Sequence, residues 1–450
     1  MMNRVTRNTM TLWRRLGLGT AALLAALPCA FAQPAGDLAE CIETLRRELP
    51  QHAKVRRDTF DTHTRGAQDL RPLIDNATRS QPEFKLAIWD YVARLVDPER
   101  VQDGRAILER EAQALAAIAA RHKVDAATVV AVFGVETDYG RRGGRYPVVD
   151  ATLSRACLNL QSRERKAHFF AALWLLQEGL VHPEAFRGSW AGAFGQTQFM
   201  PGTFVEHMDD GDGSGSVDII GSTADALATT ARYLRGLGWS DGLPWGQEVA
   251  LTREPQRNWA ALAAAQGEHA CLSAAAPAGR CRSIAQWSAL GLVLVDGKPL
   301  ALPPSTSAAL LLPSGPQGPA WVVTRNYRAL WQYNRADAYA LSIGLLSNAL
   351  RGEPAMATPW PTDDLALARA EMRELQALLR RRGHCDVAAD GFDGPRTAAA
   401  VRSEERARGR DETGRAGAAI LRLLKAEADA ASTACEAGEP LNERAGTPSR

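Results

Sequence analysis

The chain has 450 residues, 46% of them hydrophobic and 23% charged, with 53 Lys and Arg against 51 Asp and Glu for a formal net charge of +2. That balance fits two or three globular domains and excludes a chain disordered throughout, a collagen-like repeat and a polytopic membrane protein. A field that weak does not draw in nucleic acid, and no basic patch is interleaved with aromatics, so no nucleic-acid partner is expected.

Arg4, Arg7, Arg14 and Arg15 surround or precede an apolar run at 16–27, and Ala30-Phe31-Ala32 fits a small-x-small cleavage site. Residues 1–32 therefore read as a signal peptide cut before Gln33, and the expected location is the periplasm. The apolar run is too short to span a bilayer. Cys29 is a candidate lipid-anchor site, but Pro28 stands where a small residue is needed. Six cysteines follow: Cys41, Cys157, Cys271, Cys281, Cys385 and Cys435. None forms a C-x-x-C pair, and an oxidising compartment favours disulfides. Proximity favours Cys271 with Cys281 and Cys385 with Cys435, leaving Cys41 with Cys157.

Residues 38–238 carry Leu, Ala and Arg at a helical period, interrupted at Pro72, Pro82, Pro98, Pro147, Pro183 and Pro201. Between 240 and 325 the pattern changes to short apolar runs, EVAL (248–251), LVLV (292–295), AALLL (308–312) and AWVVT (320–324), which predicts a small β-rich insertion. Helix resumes near Arg335 and runs to about Leu350. Residues 352–364 are Pro-rich and polar, a linker. A second compact unit is expected over 365–435, and a disordered tail over 436–450.

Several motifs are missing: H-E-x-x-H, G-x-S-x-G, the P-loop and G-x-G-x-x-G. Zinc, serine-hydrolase and nucleotide chemistry therefore recede. The most informative segment is DAATVVAVFGVETDYG, residues 125–140. Asp125 is a helix N-cap, and Gly140 is placed as the stop. Val129, Val132, Phe133 and Glu136 fall on one face, so an apolar stripe ends in a carboxylate. Burial and the negative end of the helix dipole both raise its pKa, which makes Glu136 a candidate general acid, the alternative being a last-turn Glu that snorkels out or pairs with an Arg. Asp138, two positions on, points away and reads as solvated or structural. The segment GSWAGAFGQTQFMPGTF, 188–204, mixes small residues with aromatics and amides, either a carbohydrate groove or a tight helix contact.

Together, G-V-E-T-x-x-G and G-S-W-A-G-A-x-G-x-T-Q-F-M-P resemble the lytic murein transglycosylase B family, and the resemblance continues through 210–239 and 326–341. It implies an α+β, mainly α fold. A lysozyme-like catalytic domain over 38–351, with a small inserted β subdomain at 240–325, would precede a small helical peptidoglycan-binding-like domain. It also implies cleavage of the β-1,4 bond between N-acetylmuramic acid and N-acetylglucosamine with a 1,6-anhydro product. Glu136 matches the single acid/base. Ser189 and Gln198 match groove residues, and Tyr333, Asn334 and Tyr339 match the far wall. Peptidoglycan glycan strands are the implied partner of a monomeric chain, with cell-wall synthesis or division proteins beside them. A hydrolytic muramidase on the same fold and a non-catalytic wall-binding scaffold are the competing readings.

No cofactor is expected for the chemistry. The segment DGDGSGSVD, 210–218, reads as a modified calcium loop, with Asp210, Asp212, Ser214, Ser216 and Asp218 at positions 1, 3, 5, 7 and 9. Position 12 is Gly221, and the resemblance offers Asp225 in its place. Residues 371–424 resemble a peptidoglycan-binding three-helix module in which the usual aromatic-Gln pair is replaced by Glu404-Glu405.

Overall fold

The structure is a computed structural model that describes residues 37–52, 54–251, 258–265, 268–273, 281–427 and 435. The expected signal peptide, Cys29 and the tail from 436 lie outside the described residues. No helix among the described residues is long and apolar enough to cross a membrane.

Most of the prolines that interrupt the helical pattern start helices. Pro72 is in the first turn of Arg71–Arg79, and Pro82, Pro98 and Pro201 open Pro82–Lys85, Pro98–Arg110 and Pro201–His207. A first-turn residue has no intrahelical acceptor for its N–H, so proline costs nothing there.

The centre of the larger, N-terminal unit is the helix Ala126–Thr137, N-capped by the Asp125 side chain, which accepts from the Thr128 N–H at 3.0 Å. The sequence predicts one apolar face, but every residue from Ala127 to Gly134 is buried. Helices Asp337–Leu350, Pro98–Arg110, Ala112–His122 and Thr223–Gly236 enclose it. A helix apolar on all sides belongs in such a position.

The helix stops at Thr137, three residues before the expected Gly140. Asp138 and Tyr139 are left-handed at φ 53° and 59°, followed by Gly140 at 84°. The cause is tertiary. The Tyr139 side chain lies where a Cβ on Gly104 would come within 2.3 Å of its hydroxyl and one on Gly134 within 2.6 Å of its ring, and the hydroxyl donates to the Arg100 carbonyl at 2.9 Å. Two left-handed non-glycine residues cost roughly 1–2 kcal/mol each, so the turn persists only while its surroundings hold it.

The β-rich insertion forms an antiparallel five-stranded sheet. Its order is Arg282–Ser283, Ser307–Leu311, Ala320–Val323, Gly246–Ala250, Val293–Leu294. The register pairs Leu311 with Trp321 and Val249 with Ala320. Alternate residues face two cores. Ala309, Leu311, Trp321 and Val323 join the main helical core, while Ala308, Leu310, Ala320 and Val322 pack on Trp259, Ile284 and Trp287. Burial on both faces explains why these strands read as unbroken apolar runs. Helix resumes earlier than the expected Arg335. Arg325–Asn334 is already helical, and Arg335 is the left-handed residue between it and Asp337–Leu350.

Residues 352–364, read as a linker, pack against the N-terminal unit. Trp360 is buried beside Trp89 and Trp321, and Glu248 accepts from the Ala357 and Thr358 amides at 2.7 Å each. Helices Arg369–Arg381, Pro395–Ala407 and Ala418–Ala426 then enclose a core around Leu375, Leu379, Val401 and Leu424. Glu404 accepts from Arg408 at 2.9 Å and meets His384 at 2.8 Å. Glu405 accepts from the Thr413 hydroxyl and the Gly414 amide at 2.5 and 2.8 Å. Both carboxylates are thus consumed inside the module. The module docks by ion pairs, Arg415 with Asp90 at 2.6 Å and Asp393 with Arg94 at 2.6 Å among them.

Three disulfides join Cys41 to Cys157, Cys271 to Cys281 and Cys385 to Cys435, across sequence separations of 116, 10 and 50 residues. By chain entropy, losing the first costs about 4–5 kcal/mol and losing the second about 2–3 kcal/mol. The double variant Cys41→Ser/Cys157→Ser is therefore expected to unfold at lower urea than Cys271→Ser/Cys281→Ser. Equal midpoints would show that loop entropy does not govern these staples.

Candidate active site

Glu136 lies in the last turn of the central helix, and its carboxyl opens into a groove of about 680 Å³. Ser189, Gln198, Tyr333 and Asn334 line the same groove, a volume suited to a ligand of several rings. Tyr339 lies beneath it, 1% exposed, and its hydroxyl donates to Glu136 Oε1 in a short hydrogen bond. All six residues predicted for the catalytic site are thus gathered in or under one groove.

Burial pushes the Glu136 carboxyl from its ordinary 4.5 up to about 8; the Tyr339 hydrogen bond opposes this and the charge of Glu83 adds to it. The helix C-terminus acts in the same direction as burial. The two tyrosines are themselves held well above the ordinary phenol range by burial and by the Glu136 charge, so both remain O–H donors. Tyr333 donates to the Thr197 carbonyl at 2.8 Å, and its ring stacks on Tyr339 with centroids 6.0 Å apart. This stack fixes the wall beside the acid.

Residues 188–200 are a chain of tight turns rather than a helix contact, and 201–204 open helix Pro201–His207. Bridges link Gly188 to Phe194 and Phe194 to Phe199. A Cβ at Gly188 would meet the Ala193 carbonyl at 2.2 Å, so only glycine fits there. Ser189 Oγ accepts from the Ala191 and Ala193 amides, both at 3.2 Å, which ties down the groove edge. Gln198 is left-handed at φ 51°, with its amide donating to Gly195 O at 2.9 Å. Phe194 and Phe199 are core residues, and Gln196 bonds to Ile220 O and Thr223, so these three do not face the groove.

Sequence reasoning missed Glu83, Arg155, Glu164 and His168, which also line the groove. They come from helices without a motif, and only the folded chain gathers them. His168 Nδ1 accepts from the Gly202 amide at 3.2 Å, and burial pushes its pKa down. Asp138 does point away from the groove, and of the two readings, solvated or structural, it is the structural one. It is 4% exposed and pairs with Arg100 at 3.0 Å, Arg141 at 3.2 Å and Arg369 at 3.3 Å. Burial pushes its pKa up, but these three cations more than offset that and hold it below the usual carboxylate range.

In the loop at 210–218, the carboxylates of Asp210, Asp212 and Asp225 come within 4.8 Å of one another. Gly213 and Gly215 supply left-handed turns at φ 76° and 85°. Asp225 also accepts from the Gly211 amide at 2.8 Å and the Asp218 amide at 2.8 Å, which binds the loop to helix Thr223–Gly236. Asp218 turns its own carboxylate to the Ile220 and Gly221 amides, and Ser214 and Ser216 bond to each other. The cluster offers only oxygen, the donor set of a hard cation such as calcium.

A raised carboxyl pKa has a sign in stability. The folded chain holds the Glu136 proton up to about pH 8, while the unfolded chain releases it near 4.5. The associated stability is complete below about pH 4.5 and is lost as pH rises through about 8. Glu136→Gln cannot ionise. Its melting temperature is therefore expected to gain on the wild type as pH rises from 5 to 8 and to keep a constant offset above that. A difference independent of pH, measured by calorimetry, would contradict the raised pKa.

A family model described as Transglycosylase SLT domain matches residues 37–348, and a peptidoglycan binding domain model matches residues 368–424. SltB3 from Pseudomonas aeruginosa in complex with NAG-anhNAM-pentapeptide is 36% identical, with a TM-score of 0.63 over 86% of this chain and 99% of that one. The membrane-bound lytic murein transglycosylase B of Escherichia coli (strain K12) is 26% identical over 267 residues, 58% of this chain. The match spans 66% of that curated relative, just under two thirds of its length. The Escherichia coli lytic transglycosylase Slt35 in complex with calcium, 22% identical with a TM-score of 0.56 over 71% of this chain and 96% of that one, shares the fold. With its helical groove domain and inserted sheet matched from end to end by one family model, the chain belongs to the transglycosylase SLT domain family.

Proposed function

We propose that this protein is a peptidoglycan lytic transglycosylase that cleaves the β-1,4 bond between N-acetylmuramic acid and N-acetylglucosamine and leaves a 1,6-anhydromuramic end. The observation that carries the reading is Glu136, a carboxylic acid raised to about 8 in a groove, with Oε1 held by the Tyr339 hydroxyl. Tyr339 fixes one oxygen and leaves Oε2 to present the proton. Glu136 gives it to the leaving glycosidic oxygen as the C1–O bond breaks. The muramic N-acetyl carbonyl, oriented by Asn334, supports the positive charge that develops at C1.

Glu136, now ionised, takes the proton of the sugar's own O6 hydroxyl. O6 then bonds to C1 and closes the ring. The acid regains its proton, water is neither consumed nor released, and no second carboxylate is required. Most glycosidases need two. Here the nucleophile is already part of the substrate, so orientation supplies much of the rate. Ser189, Gln198 and Tyr333 are the groove residues that hold the glycan strand. The four arginines and the apolar run within residues 1–32, with the three disulfides, support export to an oxidising periplasm.

One observation favours a second reading, a muramidase. Glu83 and Glu164 also line the groove, and either could activate water. The products separate the two, since an anhydro end is lighter by one water. Glu136→Gln is expected to lose at least ~10²-fold in the rate of anhydro-muropeptide release, because it cannot donate the proton. Near wild-type release would remove Glu136 from its role, and hydrated ends alone would favour the muramidase.

Asp210, Asp212 and Asp225 are the proposed core of a structural calcium site, with Ser214, Ser216 and Asp218 completing the loop. A ligand bound only by the folded state raises its melting temperature. Calcium is expected to do so for the wild type and not for Asp225→Ala. A melting curve that ignores both calcium and chelator would leave the loop a hydrogen-bonded turn.

A further inference from the structure

The turn that follows Glu136 is not held by the catalytic unit alone. Asp138 and Tyr139, both left-handed, are the second and third residues after the acid. Asp138 sits in an ion cluster with Asp97, Asp103, Arg100, Arg141 and Arg369, with Glu99 at its edge 3.9 Å from Arg369. Three carboxylates meet three guanidinium groups, and five of the six side chains come from the catalytic unit.

The sixth, Arg369, opens the first helix of the C-terminal module. Its Nε reaches both oxygens of Asp97 at 3.1 and 3.2 Å, and its Nη1 reaches both oxygens of Asp138 at 3.3 and 3.4 Å. Asp97 is 1% exposed and Asp138 4%, so neither can turn to water if the guanidinium leaves. Asp97 in turn caps helix Pro98–Arg110, which supplies Arg100 and the Gly104 slot for Tyr139. The module grips the turn a second time, since the Arg142 guanidinium lies 3.6 Å from the Phe392 ring centroid.

We infer that Arg369 is a positioning residue, and that the C-terminal module acts through it as a clamp on the left-handed turn that aims Glu136 into the groove. Removing one partner of a buried ion cluster leaves an uncompensated charge, and the turn beside it is already in a costly conformation. The strained turn then has a route to relax, and a displacement of about 1 Å at a reacting group costs up to about a hundredfold in rate. The inference rests on Glu136 being the acid.

The test uses the full-length protein, soluble glycan chains as substrate, and a temperature at which each variant is folded by circular dichroism. Arg369→Gln is expected to lower kcat about tenfold or more with KM within about twofold, since the groove walls are untouched. Arg369→Lys keeps the charge but cannot span two carboxylates, so it should recover part of the loss. Asp138→Asn should resemble Arg369→Gln, and the double variant should be no slower than either, because both act on one turn.

Arg415→Gln is the control. It breaks the docking pairs to Asp90 and Asp364 without touching the turn, so it should lower the melting temperature and leave kcat unchanged. Wild-type kcat in folded Arg369→Gln overturns the clamp, as do multiplying losses in the double variant or an equal kcat loss in Arg415→Gln. Should Arg369→Gln fail to fold, Arg369→Lys decides, and wild-type kcat there also overturns it. An active Glu136→Gln would sink the assignment of the acid instead. An inactive one beside a fully active Arg369→Gln would sink only the clamp.

Discussion

A helix buried on every side leaves the residues near its end very little freedom, and the site is built on that constraint. The central helix carries only apolar or small residues and one threonine, Thr128, from Ala126 to Val135, and four helices enclose it. Glu136 is its first ionisable group, placed where the enclosure opens into the groove. Among the described residues its carboxyl has one protein donor, Tyr339, and it otherwise faces the groove. The raised pKa follows from the packing: a carboxyl at the mouth of an apolar core keeps its proton because the charged form is poorly solvated there.

The opening stays where it is because the chain reverses immediately after Glu136. Gly104 and Gly134 leave a slot, Tyr139 fills it, and the backbone must turn left-handed to put the ring there. Asp138, turned away from the groove by the same reversal, needs cations, and it draws them from three elements. Each step makes the next necessary, and the helix, the acid and the turn form one mechanical unit. The module that supplies Arg369 belongs to that unit as much as the helices do. Its Glu404 and Glu405, out of place in a wall-binding surface, are at home in a compact support whose polar groups satisfy one another.

Local chemistry was legible from the sequence, and tertiary reversals were not. Asp125 signals the start of the central helix because a cap acts through its own neighbouring amides. Thr137 does not signal its end, since Asp138 and Tyr139 are ordinary helix-compatible residues that leave the helix only because a distant glycine makes room. Arg335 misled for the same reason. It looks like the start of a helix and is the left-handed joint between two. The strands were readable because burial on both faces makes them continuous apolar runs. Glu136, Tyr333 and Tyr339 could be named from motifs, whereas Glu83, Arg155, Glu164 and His168 reach the groove from segments whose local pattern is that of any amphipathic helix. Asp138 was legible in direction and not in environment, because the cations that bury it lie up to 231 residues away.

A single carboxyl that must give a proton and then take one back works best when neither state is strongly preferred. An ordinary Glu would be ionised at neutral pH and could not donate, while one buried without a partner would hold its proton too firmly to act as an acid. Glu136 has both influences at once. Burial favours the protonated form, and the Tyr339 hydroxyl, a donor that prefers a charged acceptor, favours the ionised one. Because Tyr339 is itself kept from ionising by burial and by the Glu136 charge, the donor does not surrender its proton to the carboxylate it supports. The pair is therefore balanced within reach of neutrality, and the balance is set by two side chains from the two helices in closest association, Ala126–Thr137 and Asp337–Leu350. In the proposed reaction the sugar supplies the nucleophile, and the protein's remaining task is geometric. The tight turns, stacked rings and ion cluster around Glu136 suit that task.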